Sequence, residues 1–255
     1  MNIFLGEQEH FAASTITAIV PARAGSKGLP DKNVIELGGI SLVEHSIRLA
    51  LAIKEFDHVV VTTDSPRILA LHECYPDVIF LPRPGDISSD SSSLIDAVIH
   101  AFDSICLETG QSPAFAILQP TSPFRSPKDV SSALCFAAQL NVSSMVSVVK
   151  MSQNPSECIK IVGDAWRFLE PPPRGSTRRQ DYLDAYFITG SFYYATLNRV
   201  KSKLYNCFSD SSLWLTSDLI AIDIDTRDDF DIAAALFDFM TIRGYTFLSN
   251  DWKVS

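Results

Sequence analysis

Two patterns alternate along the first 150 residues. Short runs of β-branched and other apolar residues stand at 16–21 (ITAIVP), 58–62 (HVVVT), 78–81, 114–119 (AFAILQ) and 145–149. Between them, residues 41–54, 66–75, 92–107 and 127–139 place apolar side chains at helical spacing, and Pro127 suits a first helical turn. Continuously apolar strands are buried on both faces, and their alternation with helices implies βαβ units. The expected fold is therefore α/β, a mostly parallel sheet with helices on both faces. Beyond residue 150 the rhythm breaks. Residues 150–186 hold strand-like pieces and a Pro-Pro-Pro-Arg-Gly stretch at 171–175, which read as a long functional loop or a small inserted subdomain. Residues 192–194 and 219–224 return to strand character, and 228–240 form a closing amphipathic helix. Residues 1–14 are expected to be a loose, flexible tail and 15–255 a single domain, with no second catalytic domain.

Charge removes several classes of function. The formal net charge is −9 and the pI about 5.0, the reverse of the basic field that nucleic acid or an anionic membrane surface requires. The longest uncharged run, residues 130–149, contains five serines and reads as helix, turn and strand. The start of the chain carries Glu7 and no basic stretch, so no secretory leader is expected. The five cysteines (Cys74, Cys106, Cys135, Cys158, Cys207) contain no C-x-x-C pair, which disfavours zinc and disulfides. They read as core filler in a cytoplasmic protein.

Four clusters carry chemistry. The first strand runs into Pro21-Ala22-Arg23-Ala24-Gly25-Ser26-Lys27-Gly28-Leu29-Pro30-Asp31-Lys32-Asn33. Ligands of open α/β sheets bind at the carboxyl ends of strands, where this loop sits. Three cations in ten residues, with two glycines that permit close backbone approach, suit a polyphosphate. There is no G-x-x-x-x-G-K-[ST], and no G-x-G-x-x-G follows the strand, which counts against a P-loop NTPase and an NAD enzyme. The second cluster, Gln119-Pro120-Thr121-Ser122-Pro123-Phe124-Arg125, reads either as a polar ligand-binding turn or as a proline-rich helix cap. The third is Asp223-Ile224-Asp225-Thr226. Strand alternation puts both carboxylates on one side, suited to magnesium with phosphate oxygens, while Asp225-Thr226 equally suits a helix cap. The fourth, Arg174, Arg178 and Arg179 with Gln180-Asp181, reads as an anion grip or as a solvated loop. His10, His45, His58, His72 and His100 are isolated, and neither G-x-S-x-G nor H-E-x-x-H occurs.

Taken together, PARAGSKGLPDKN (21–33), VVVTTDS (59–65), LPRP with SSDSSS (81–93), LQPTSPFR (118–125), RRQD (178–181) and DIDT with DDF (223–230) resemble the acylneuraminate cytidylyltransferases, the CMP–nonulosonate synthetases. The landmarks occur in that family's order over roughly residues 15–240. The resemblance implies a Rossmann-like nucleotidyltransferase fold with a small dimerisation subdomain near 150–195. It implies joining of CTP to a 3-deoxy-2-keto acid sugar, with Mg²⁺ and release of pyrophosphate. On that resemblance Arg23, Lys27 and Lys32 hold the triphosphate; Ala22, Gly25, Ser26, Asn33, Arg83 and Ser93 line the nucleotide site; and Asp223 and Asp225 hold the metal. Gln119, Thr121, Ser122 and Tyr193 face the sugar. Arg178 or Arg179, beside Gln180, reaches across a homodimer to the sugar carboxylate.

Departures from that family cluster on the sugar side. Leu94 replaces a hydroxyl, Gln153-Asn154-Pro155 replaces His-His-Pro, and Thr189-Gly190-Ser191-Phe192-Tyr193 replaces an Asn-Gly-Ala strand. They point away from N-acetylneuraminate and toward pseudaminic, legionaminic or another bacterial nonulosonic acid. A nucleotidyltransferase of the same fold with another sugar or nucleotide, and a non-catalytic homologue, are the competing readings.

Overall fold

The computed structural model describes residues 3–4, 15–25, 28–89, 92–109, 114–171, 178 and 182–244. Its strands are β1 (Ile3–Phe4), β2 (Ile16–Pro21), β3 (Glu36–Leu37), β4 (Ile40–Ser41), β5 (His58–Thr63), β6 (Ile79–Pro82), β7 (Ala114–Ile117), β8 (Ser144–Lys150), β9 (Ile159–Val162), β10 (Ala165–Phe168), β11 (Tyr186–Thr196) and β12 (Ser212–Leu215). The helices are α1 (Leu42–Leu51), α2 (Pro66–Leu69), α3 (Leu94–Thr109), α4 (Pro127–Gln139), α5 (Leu197–Lys203) and α6 (Arg227–Ile242).

Eight strands form the main sheet in the order β1-β12-β8-β11-β7-β2-β5-β6. β7, β2, β5 and β6 run parallel to one another, as their apolar sequences predict. From β2 the chain steps outward to β5 and β6, then returns to β7 on the other side of β2. The carboxyl ends of β2 and β7 thus flank the switch point where such sheets open a crevice. Helix starts follow local chemistry. Ser41 and Glu44 form a capping box at α1, Ser65 precedes Pro66 at α2, and Ser126 precedes Pro127 at α4.

Alternate residues of β2 face opposite cores. Ala18 and Val20 pack with Val43 and Ile47 of α1, Ile68 of α2 and Val130 and Leu134 of α4. Ile19 packs on the other face with Val98, Phe102 and Ile105 of α3 and Val200 of α5. A third core lies beside the sheet. Leu29, Phe124 and Ile224, one from each of three motif loops, pack against Ala233 and Met240 of α6.

The sheet is mostly parallel, as expected, with β11 running antiparallel between β7 and β8. Among the described residues no α-helix, the usual crossover of a parallel connection, lies between β8 and β11. Two expectations are corrected. Residues 219–225 are not a strand but an irregular, turning segment; the apolar residues Leu219, Ile222 and Ile224 are spent on the α6 core instead. Cys74 and Cys135 are exposed, so of the four cysteines whose side chains are described only Cys207 is a fully buried core residue. Within residues 1–14, Ile3–Phe4 pair antiparallel with β12. No described helix is long and apolar enough to cross a membrane.

The third core predicts a stability effect. Phe124 is fully buried in it. Phe124→Ala is expected to lower the unfolding free energy by about 3–5 kcal/mol, read from urea midpoints at unchanged slope.

Candidate functional site

The switch point opens into a cleft of about 230 Å³. Pro21 and Arg23 come from the end of β2, Lys32 and Asn33 from the 3-10 turn that follows, and Gln119 and Thr121 from the turn after β7. Arg83, Ser89 and Ser92–Leu94 close it from the β6–α3 connection. Hydrogen bonds to neighbouring strand ends and loops aim these walls. Asn33 donates its amide to the Arg23 carbonyl at 2.9 Å. Arg83 donates to the Thr62 carbonyl at 2.7 Å and the Thr62 hydroxyl at 3.3 Å, at the end of β5. The amide of Ala24 donates to the Asp64 carboxylate at 2.6 Å. Burial pulls the Arg83 guanidinium below its usual range, with Arg23 acting in the same direction and Asp64 against it.

The acidic pair enters over this floor. Ile224 donates its amide to the Thr121 carbonyl at 2.9 Å, tying the aspartate segment to the turn after β7. Asp225 accepts from Lys32 Nζ at 2.6 Å. The choice between metal ligand and helix cap resolves through the hydrogen bonds at α6. Thr226 is the N-cap, and Asp229 returns the bond to Thr226 and also accepts from the Asp225 amide at 3.1 Å. The Asp225 carboxylate is thereby left to pair with Lys32, which lines the cleft. Asp223 is open to solvent on one side, yet the protein around it raises its carboxyl above the ordinary range; the Asp225 and Asp229 charges add to this, while Thr121 and Lys32 oppose it. The Thr121 hydroxyl is buried and makes no hydrogen bond of full geometry, but it lies close enough to Asp223 to act on it. Asp223 also bears on Tyr193, whose hydroxyl is raised chiefly by burial.

Two carboxylates with a single ammonium on one of them form a donor set that suits Mg²⁺, which takes one or two carboxylates and completes its shell with phosphate oxygens and water. No group of three or more acidic, histidine or cysteine ligands occurs among the described residues, so an all-protein metal cage is not what this site offers.

The expected residues divide as follows. Arg23, Lys32, Asn33, Arg83, Ser93, Gln119 and Thr121 meet in the cleft. Ala22 is fully buried and donates to the Thr62 carbonyl, so it supports the loop from below. Ser122 is buried behind the turn, and Gly25 is exposed with nothing near it. Tyr193 stands on β11, where a register shift between Ile188 and Tyr193 kinks the strand. A side chain at Gly190 in that kink would stand 3.8 Å from both the Tyr193 hydroxyl and the Gln119 amide nitrogen. Arg178 is exposed and does not line the cleft of its own chain. Ser26, Lys27, Arg179 and Gln180 lie outside the described residues.

Sequence reasoning missed two supports. Asp64 follows β5 at the same sheet edge as the basic loop, a position that marks it in retrospect. Gly28 packs against the Asp225 backbone, and a Cβ there would stand 2.3 Å from the Asp225 carbonyl oxygen.

A doubly wound sheet with cations, polar side chains and two carboxylates converging at its switch point defines a nucleotide-binding transferase type of site. The chain belongs to the cytidylyltransferase family, whose match spans residues 17–207. It is 33% identical over 237 residues to the CMP-N,N′-diacetyllegionaminic acid synthase of Legionella pneumophila, covering 88% of this chain and 96% of that protein. It is 31% identical over 221 residues to the N-acylneuraminate cytidylyltransferase of Escherichia coli, covering 87% of this chain; the chain spans about half (52%) of that relative's length. The fold matches CMP:2-keto-3-deoxy-manno-octonic acid synthetase complexed with CTP, with a TM-score of 0.65 at 17% identity, covering 89% of this chain and 99% of that one.

The Gly28 contact yields a paired test. Gly28→Ala is expected to cost about 1–3 kcal/mol in urea unfolding, since backbone rather than a flexible side chain must give way. Gly25→Ala, with open space around it, stays within about 0.5 kcal/mol.

Proposed function

We propose that this chain is a Mg²⁺-dependent cytidylyltransferase that joins CTP to the anomeric hydroxyl of a nonulosonic acid, giving the CMP-sugar and pyrophosphate. The observation that carries the reading is the tie between Ile224 and Thr121, which sets the Asp223–Asp225 pair beside the cationic cleft of a family member. The sugar hydroxyl attacks the α-phosphorus and gives up its proton to solvent, and the pyrophosphate oxygen leaves with the bonding pair of the broken P–O bond. Charge builds on the phosphate oxygens, so the protein's task is to position reactants and stabilise charge. Arg23, Lys32 and Lys27 bind the triphosphate, Asn33 holds the loop in shape, and Arg83 and Ser93 flank the nucleotide. Asp223 and Asp225 would hold the magnesium ion, and Lys32, which pairs with Asp225 and lines the cleft, would also be in place to bind a phosphate oxygen. Bound magnesium supplies charge neutralisation at the phosphates. Gln119 and Tyr193 orient the sugar, with Gly190 leaving room between them. The residues at 153–155 and 189–193, together with the likeness to one legionaminic acid synthase, favour a bacterial nonulosonic acid of the legionaminic or pseudaminic type.

The same reading makes the 150–195 segment a dimerisation subdomain of a cytoplasmic homodimer. One face of the β9–β10 hairpin is wholly apolar: Ile161 (78% exposed) pairs with Trp166, and Ile159 with Phe168. Leu183 (85%), Phe187 and Ile188 are exposed beside β11. A run of this kind on a soluble domain marks a protein–protein surface. Arg178 or Arg179 of one subunit serves the sugar carboxylate of the other.

Pyrophosphate release is measured with CTP and Mg²⁺ against N-acetylneuraminic, N,N′-diacetyllegionaminic and pseudaminic acids and 2-keto-3-deoxy-octonate, with ATP, GTP and UTP as controls. Turnover with CTP and a nonulosonic acid is expected, and Asp223→Asn lowers it by about 10²-fold or more. Silence across the panel from folded protein, or an unaffected Asp223→Asn, overturns the reading. Because Asp223 titrates above the ordinary carboxylate range, it takes up a proton early on acidification and its hold on the cation weakens. The acid limb of the rate profile is expected to move to lower pH as Mg²⁺ is raised. For the subdomain, Trp166→Glu is expected to shift the light-scattering mass from dimer to monomer.

A further inference from the structure

Arg125 closes the LQPTSPFR turn, and its side chain runs inward, leaving the residue only 4% exposed. One terminal nitrogen donates to the Ser191 carbonyl in the β11 kink at 2.8 Å. The other donates to the Ser46 hydroxyl of α1 at 2.6 Å, and Ser46 in turn donates to the Gln119 carbonyl at 3.4 Å. Nε has no hydrogen-bond partner. No carboxylate pairs with the guanidinium among the described residues, and the acid whose charge reaches it is Asp223. Burial brings its pKa down to about 9, so it keeps its charge at neutral pH. The strand kink it grips is tied from behind, where the hydroxyls of Ser147, Thr189 and Ser191 lie 2.7–3.0 Å apart.

A buried cation with no contact counter-ion is an expensive way to fill a core, and an apolar side chain of similar volume is commonly as stable or more so. Its bonds all run to one side of the cleft, joining the Gln119 turn, α1 and the strand that carries Gly190 and Tyr193. None reaches the walls that carry Arg23, Lys32, Asn33 or Arg83, which have their own ties at Thr62, Asp64 and Asp225. We infer that Arg125 is a positioning residue for the sugar half of the cleft: its hydrogen bonds fix the spacing of Gln119 against Gly190 and Tyr193, while Arg23, Lys32, Asn33 and Arg83 are held by hydrogen bonds in which Arg125 takes no part. The inference rests on the reading above that Gln119 and Tyr193 face the sugar.

The test separates the two halves. The KM for the nonulosonic acid that is turned over is measured alongside the Kd of CTP with Mg²⁺, by calorimetry without sugar. Arg125→Met is expected to raise the sugar KM about tenfold or more, the size of one lost bond to a charged group. The CTP Kd stays within about twofold. Arg125→Lys recovers part of the loss, and Ser46→Ala, which cuts the link to Gln119 with little change of volume, raises the sugar KM about threefold. Parallel losses in both ligands, or an unchanged sugar KM, overturn the inference; if Arg125→Met does not fold, Ser46→Ala and Arg125→Lys decide it. Gln119→Ala is the control. If it leaves the sugar KM unchanged, the reading of the sugar wall fails and the inference with it. If it raises the sugar KM while Ser46→Ala and Arg125→Lys do not, the inference alone fails.

Discussion

The contact of Leu29, Phe124 and Ile224 against α6 is what the site hangs on. Each of these residues lies within a few positions of the charged groups of the site: Lys32 in one loop, Arg125 in the second, Asp223 and Asp225 in the third. Loops on a sheet edge have few backbone partners of their own, and fixing their dihedrals costs conformational entropy. Burying one large apolar residue from each against a common helix offsets that cost. The Ile224–Thr121 and Gly28–Asp225 backbone approaches then set the loops against each other to within an ångström or so. α6 is thus a structural clamp whose own start is secured by Thr226 and Asp229, so that neither carboxylate of the Asp223–Asp225 pair is consumed in capping it.

Charge is organised on two scales. The chain as a whole is acidic, with a net charge of −9, while its cleft concentrates Arg23, Lys32 and Arg83. A local positive focus in a negative protein draws a small polyanion without drawing the extended polyanions that a basic surface would collect. Beside the cleft, Lys32 offsets one carboxylate of the pair, and Asp223 is left with its charge resisted by desolvation and by its acidic neighbours. A divalent cation would relieve both strains together, which is the physical content of the proposal that the pair holds magnesium.

Much of this was legible because the relevant signals are local. Strand runs at 16–21, 58–62 and 114–119, the cap at Ser126-Pro127 and the placement of the basic loop after the first strand all follow from short-range pattern, and the structure has them where the pattern puts them. What failed was non-local. Leu219–Ile224 has the composition of a strand, but its apolar side chains are claimed by α6, about ten residues further along, so the segment never reaches a sheet edge. β11 reads as one more strand, and its reversed direction depends on the absence of a crossover helix, which no property of residues 186–196 announces. Asp64, Ser46 and Arg125 act through partners 40 to 79 positions away. No window along the sequence contains both ends of such a bond.

The two edges of the sheet are both poor templates. At one end, β1 contributes two residues across β12; at the other, β6 is four residues long and finishes on Pro82, which has no amide hydrogen to offer. A free ladder of backbone donors and acceptors long enough to recruit a strand from another copy is therefore absent from either margin of the described sheet. Copies of this chain that meet cannot do so by lengthening the described main sheet at either margin, which leaves side-chain surfaces, whose fit discriminates between partners, and the separate β9–β10 hairpin. At high concentration the main sheet is thus protected at its described margins from the runaway strand addition that turns open sheets into fibres.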